Sequence, residues 1–125
     1  IAIADIAAVA VAALTGDGHE NEAYDLTGPE ALDHFYIASV LSEVSGRTIS
    51  YQPISEELMR QGALDSGLPA PSVDYLTVLY QATRAEYLAV TTPDVEKVLG
   101  RAPIKFDKFA RLNKTAWQLP LQANA

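Results

Sequence analysis

Apolar positions in this chain recur mostly at helical spacing. From His34 to Ser45, Ile37, Val40, Leu41 and Val44 fall at i, i+3, i+4 and i+7, one stripe that predicts a helix. Asp33 stands where an N-cap belongs, and Gly46 where a helix stops. Asp5 is read as the cap of an earlier helix, Ile6–Leu14, which Thr15-Gly16-Asp17-Gly18 ends. Ser55 caps a helix from Glu56 to about Ser66, with Glu56 and Glu57 in its first turn, where the macrodipole favours acids. After the breaker Gly67-Leu68-Pro69-Ala70-Pro71, Ser72 caps a long helix to about Ala89. Val73, Leu76, Leu79, Tyr80 and Leu88 are assigned to its buried side. Thr92-Pro93 opens a short helix that ends at Gly100, and a last helix is predicted from about Phe106 to Trp117. Gln118–Ala125 reads as a frayed tail.

Two short segments have strand character. They are residues 23–27 (Ala-Tyr-Asp-Leu-Thr, closed by Gly28-Pro29) and 48–54, closed by Pro53. One helix lies between them, which suggests a parallel βαβ unit with a right-handed crossover. Two short strands make a poor sheet alone, so they are expected to extend the edge of another sheet. Ile1-Ala2-Ile3-Ala4 runs into Asp5 with no polar lead-in, and the start reads as a cut through a longer pattern.

Composition narrows the function. The 125 residues carry a net charge of −7, which disfavours nucleic acid and anionic membranes as partners. With no cysteine, disulfides, thiolate nucleophiles and Cys-ligated metals are excluded. Ile1–Leu14 is too short to span a bilayer and lacks the basic start of a signal peptide. A cytoplasmic location is expected.

Several runs together carry a family resemblance: Asp5-Ile6-Ala7-Ala8-Val9-Ala10; Tyr24-Asp25-Leu26-Thr27-Gly28-Pro29-Glu30-Ala31-Leu32; Leu41-Ser42-Glu43-Val44-Ser45-Gly46-Arg47; Ile49 to Pro53; and Asp94 to Pro103 followed by Phe106-Asp107-Lys108-Phe109-Ala110. In order and spacing they resemble the C-terminal part of the NmrA-like family. These are atypical short-chain dehydrogenase/reductases, with quinone-oxidoreductase-like and triphenylmethane-reductase-like members. The resemblance covers residues 1–117, leaving 118–125 as a tail. It implies an α/β class: the mostly helical C-terminal portion of a Rossmann-type NAD(P)-binding fold with two short parallel strands. It also implies NADP or NAD in the full-length protein, held by an N-terminal Rossmann half, and a quinone-like or other planar acceptor. This segment alone would be inactive and would bind no cofactor. A non-catalytic, NAD(P)-sensing regulator and a stand-alone ligand-binding module are the alternatives, and a homodimer is open.

The residues themselves offer little chemistry. The close glycine pair Gly16-Asp17-Gly18 follows a helix and carries an acid, the wrong context for a pyrophosphate. No Tyr has Lys four positions on; Tyr80 has Arg84 there, and surface pairing is its simplest role. His19 and His34 lack metal-ligand spacing, Asp17, Glu20 and Glu22 form no calcium loop, and Glu56 and Glu57 serve the helix dipole. No catalytic, cofactor-binding or metal residue is assigned. The best place for ligand contact is Gly62 to Tyr80, where Leu68, Tyr75 and Leu79 are the candidate substrate-binding residues. Packing beneath a surface loop is their alternative role.

Overall fold

The computed structural model describes residues 1–118. In it the chain forms seven helices: α1 (Ile3–Thr15), α2 (His34–Ser45), α3 (Glu56–Asp65), α4 (Ala70–Arg84), α5 (Asp94–Leu99), α6 (Phe106–Leu112) and α7 (Lys114–Gln118). They belong to two compact units. One comprises residues 1–50 with the described residues from 91 on, and the other Tyr51–Val90. The tail expected over 118–125 lies, apart from Gln118 in α7, outside the described residues.

In the first unit, α2 packs against α6 and α7. Val40, Val44 and Ala110 form the buried centre, with Leu41, Phe106 and Trp117 packed around it. Trp117 Nε1–H donates to the Ala110 carbonyl (3.0 Å), so the indole enters the core without an unmet donor. The predicted boundaries of α2 hold. Asp33 accepts from the Tyr36 N–H (2.7 Å), and Gly46 takes the left-handed conformation (φ 73°) that a Cβ disfavours.

The helix predicted over Phe106–Trp117 is two helices. They part at Asn113, whose N–H (3.1 Å) and Nδ2 (2.8 Å) both donate to the Phe109 carbonyl. The helix predicted to start at Thr92-Pro93 starts one position later, at Asp94.

α1 also departs from expectation. It starts at Ile3, with Ala2 in the N-cap position, so Asp5 does not cap it. Asp5 sits in the first turn, fully buried. One oxygen accepts from Arg101 (2.7 Å) and the other from the Ile104 N–H (2.7 Å), tying α1 to the segment between α5 and α6. Val9 and Val95 are buried where α1 and α5 pack together.

Neither predicted strand forms among the described residues. A strand needs a partner whose backbone groups it can pair with. Here side chains take that role. At the first segment, the Thr92 N–H donates to Thr27 Oγ1 (2.8 Å), Thr92 Oγ1–H donates to the Asp25 carbonyl, and the Asp25 N–H donates to Asp94 Oδ2 (2.9 Å). At the second, Ser42 Oγ accepts from the Ile49 N–H (2.9 Å) and lies 2.9 Å from the Ile49 carbonyl. The one proton of this hydroxyl is contested, because the Ala38 carbonyl lies at 2.8 Å as well. Ser42→Ala is expected to lower the unfolding free energy by about 1–3 kcal/mol, because it leaves the part-buried Ile49 N–H unpaired. Urea unfolding checks this.

Asp94 is held below the ordinary carboxylate range, first by the hydrogen bond from Lys97 and then by that from the Asp25 N–H. A carboxyl depressed in the folded state adds stability that is fully present above its unfolded pKa, near 3.9, and is lost as pH falls through the lower folded value. The stability gap between the protein and Asp94→Asn should therefore be flat above about pH 5 and close progressively below about pH 4. Thermal unfolding across that range measures it, and a gap that widens in acid would contradict the assignment.

The second unit is an α3–α4 hairpin. Ser55 caps α3 by accepting from the Leu58 N–H (3.1 Å). α3 ends in a Schellman motif. The Gly67 N–H returns to the Leu64 carbonyl and the Leu68 N–H to that of Ala63, with Gly67 at φ 89°. α4 begins at Ala70, not after Ser72. Pro71 is accommodated in the first turn, where its missing N–H has no partner to lose. It ends at Arg84, short of Ala89, in a second Schellman motif: Glu86 at φ 62° bonds to Thr83 and Tyr87 to Ala82.

Candidate functional site

One face of α4 is committed to α3 by polar bonds. Arg60 donates to Thr77 Oγ1 (2.7 Å) and pairs with Asp74 (2.6 Å). Thr77, itself buried, donates to the Val73 carbonyl (2.8 Å). Gln81 donates to Glu56 (2.9 Å), and Arg84 reaches the Ile54 carbonyl (3.0 Å). These partners recur on α4 at spacings of three and four, so they share one face with the fully buried Val73.

The same periodicity turns Tyr75, Val78 and Leu79 away from that face. Tyr75 is 69% exposed, Val78 64% and Leu79 36%, and Leu68, in the turn before α4, is 37% exposed. The sequence assignment of Leu79, Tyr80 and Leu88 to the buried side is therefore corrected, since all three are exposed and only Val73 of the set is fully buried. α3 binds α4 largely through polar groups, so the apolar residues on the far side remain uncovered. Leu68, Tyr75 and Leu79 lie in one unit, with Tyr75 and Leu79 a single helical turn apart. Val78 belongs with them and was missed. Its spacing of three from Tyr75 is the signal that would have found it.

The stripe is electrically neutral. The charged residues of α4 are Asp74 and Arg84, and both are engaged elsewhere, with Arg60 and with the Ile54 carbonyl. Arg84 thus has a role other than pairing with Tyr80. An uncharged surface carrying an aromatic ring suits a flat, apolar molecule and discriminates poorly among such molecules.

The remaining sequence candidates have structural positions. His19 Nδ1 lies 2.7 Å from the Tyr24 hydroxyl, and the rings meet edge-on with centroids 5.8 Å apart. His34 opens α2. Gly16 caps the end of α1, where an added Cβ would come within 2.9 Å of the Ala12 carbonyl oxygen, and Gly18 turns the chain at φ 82°. Gly16-Asp17-Gly18 is thus a helix stop. Its geometry and its acid do not fit a pyrophosphate cradle, and no dinucleotide site is assigned to the described residues. Among those residues no group of three His, Cys, Asp or Glu could hold a metal. No helix among them is long and apolar enough to cross a membrane.

In the first unit, a cavity of about 290 Å³ is lined by Ile3, Leu32, Ile104, Phe106 and Phe109, together with Glu30. Glu30 Oε1 is shielded from solvent and has no hydrogen-bond partner among the described residues, while Oε2 lies 3.8 Å from Lys105 Nζ.

No protein-family model matches the chain. Among curated proteins, it is 42% identical over 113 residues to the NAD(P)H azoreductase of Xenophilus azovorans, covering 90% of this chain and 40% of that protein. It is 37% identical over 97 residues to the (4-alkanoyl-5-oxo-2,5-dihydrofuran-3-yl)methyl phosphate reductase of Streptomyces griseus, covering 78% and 34%. Among solved structures, the triphenylmethane reductase of Citrobacter sp. complexed with NADP(H) superposes with a TM-score of 0.75 at 27% identity, covering 92% of this chain and 38% of that one. The chain therefore spans about two fifths of the length of these relatives.

Proposed function

The chain belongs to the NmrA-like, atypical short-chain dehydrogenase/reductases and corresponds to their C-terminal part, and from that premise we propose that it forms one wall of the acceptor site of an NAD(P)H-dependent reductase. The acceptor is a planar, largely apolar molecule such as a quinone, an azo compound or a triarylmethane dye. The observation that carries this reading is the neutral, exposed stripe of Tyr75, Val78 and Leu79 on α4, with Leu68 exposed in the turn before the helix. Exposed apolar area of this kind on a helix whose other face is fully engaged needs a partner, and a flat ligand with few polar groups is one. The names of the relatives point the same way, since an azoreductase and a triphenylmethane reductase act on extended conjugated systems.

The roles of this chain's residues are to bind, orient and exclude water. Tyr75 presents a ring against which a planar acceptor can lie, and Val78, Leu79 and Leu68 cover its edge. Water exclusion raises the strength of every electrostatic contact at the reacting centre. In this reading the nucleotide is held by the N-terminal half of the full-length protein.

The test is turnover by the full-length protein. Oxidation of NADPH and of NADH is followed with an azo dye, a triarylmethane dye and a naphthoquinone as acceptors. Acceptor-dependent oxidation with at least one of them is expected. Saturable NAD(P) binding without turnover on any acceptor would sink the reductase reading and favour a redox-sensing regulator.

A further inference from the structure

The apolar stripe of α4 is neutral, but the unit that carries it is not. Tyr51–Val90 holds Glu56, Glu57, Asp65, Asp74 and Glu86 against Arg60 and Arg84, a net charge of −3. Both cations lie on the covered side of α4. Arg60 is bound to Thr77 and Asp74, and Arg84 donates to the Ile54 carbonyl. At 3.6 residues per turn, Arg84 is two and a half turns on from Tyr75 and so on the opposite side of the helix. Of the five acids, Asp74 alone pairs with a cation among the described residues. Glu56 and Asp65 accept from the amides of Gln81 and Gln61, which leave their charge in place. Asp65, exposed, ends α3 shortly before Leu68, and Glu86, also exposed, stands just past the end of α4. By helical rise Glu86 is roughly 10 Å beyond Leu79. Uncompensated carboxylates thus bracket the stripe along the chain.

We propose that this wall sorts planar acceptors by charge, favouring a cationic one and turning away sulfonates and carboxylates. The proposal rests on the stripe of Tyr75, Val78 and Leu79 being the acceptor surface. A ring lying on that stripe meets no cation of this unit that could hold an anionic substituent, and it lies between carboxylates at both ends. Those carboxylates stand off the stripe, in water, so they attract a cation without being desolvated beneath it. Each such charge at about 10 Å changes affinity by up to about twofold in water, and by less as salt screens it.

Two azobenzenes that differ only in a para substituent, trimethylammonium or sulfonate, are the probes. Their affinities for the full-length protein are measured by equilibrium dialysis with oxidised nucleotide present, so that no turnover intervenes. The cation is expected to bind about fivefold or more tightly at about 10 mM salt, with the gap below about twofold at about 0.5 M. In Asp65→Asn/Glu86→Gln that ratio should fall about fivefold, and in Asp65→Lys/Glu86→Lys about twentyfold or more, inverting the preference. Asp17→Lys/Glu22→Lys changes the net charge equally in the first unit and should leave the ratio within about twofold, which separates the wall from the protein's overall charge. Equal affinities for the two dyes at low salt, tighter binding of the sulfonate, or equal shifts from the two lysine pairs would overturn the proposal. Turnover is a separate readout. Charge-selective binding without oxidation of NADPH or NADH would sink the reductase reading and leave this preference standing. Oxidation driven by both dyes, bound with equal affinity, would do the reverse.

Discussion

Replacing Arg101 by Met is expected to cost about 2–4 kcal/mol of unfolding free energy, somewhat below the range of about 3–5 for a wholly buried pair because water reaches the arginine. The asymmetry of the pair decides this. Asp5 has no exposed surface, while the Arg101 side chain is 47% exposed. An exposed ion pair contributes little, because either partner can return to water. Asp5 cannot. Without Arg101 its charge stays in place with the Ile104 N–H as its remaining partner of the two. Asp5→Asn should be milder, about 1.5–3 kcal/mol, since Arg101 can then turn outward and one amide oxygen can still accept from Ile104. The double variant should be close to Asp5→Asn alone, because once the buried charge is gone the arginine has little left to stabilise. Urea unfolding of the four proteins gives the coupling. Additivity within about 0.5 kcal/mol would show that the two residues act independently and that the bridge contributes little.

The same residue shows how far the sequence was legible. Asp5 before an Ala-rich run has the look of an N-cap, and the capping rule placed it one turn wrongly. Its partners, Arg101 and Ile104, are nearly a full chain length away, and no local pattern announces such a pairing. Asp33, Gly46 and Ser55 were readable because each acts on residues within a turn of itself. Residues 23–27 and 48–54 have strand composition, but composition records an affinity for extended backbone without naming a partner. In the fold Thr27, Thr92, Asp94 and Ser42 satisfy that backbone with side chains, a choice invisible to periodicity. The family resemblance was legible because it rests on the order of several short runs, which survives errors in any one boundary.

The candidate site was half legible for a related reason. Apolar periodicity finds the faces of a helix, but it does not say which face is covered. On α4 the covered face is held by Arg60, Asp74, Thr77 and Gln81, so a rule that sends apolar residues inward assigned Leu79 and Tyr80 to the wrong side. Leu68, Tyr75 and Leu79 were chosen from their position beside a Gly/Pro breaker, and they do lie at the surface.

Tyr75→Ala in the full-length protein is the sharpest probe of that surface and of the proposed reductase activity. Tyr75 is 69% exposed in this chain, and a planar acceptor lying on its ring would cover much of that area. Covering roughly 50–100 Å² of apolar surface at about 25 cal/mol per Å² amounts to about 1.3–2.5 kcal/mol, or roughly ten- to seventyfold in kcat/KM. If the ring only binds the acceptor, the loss falls on KM and kcat holds; if it also orients the acceptor for hydride transfer, kcat falls too. Tyr75→Phe should retain most of the efficiency, because the ring does the binding. Leu79→Asp should be worse than Leu79→Ala, since it adds a charge that an apolar acceptor would have to desolvate. The control is Leu112→Ala on α6, which removes a comparably exposed leucine (69%) from the other unit. Equal losses at Tyr75 and Leu112 would mean that exposed apolar area anywhere affects the protein alike, and the α4 stripe would lose its claim to the acceptor. A loss confined to Tyr75, Val78 and Leu79, with unfolding midpoints unchanged, would assign the wall to α4.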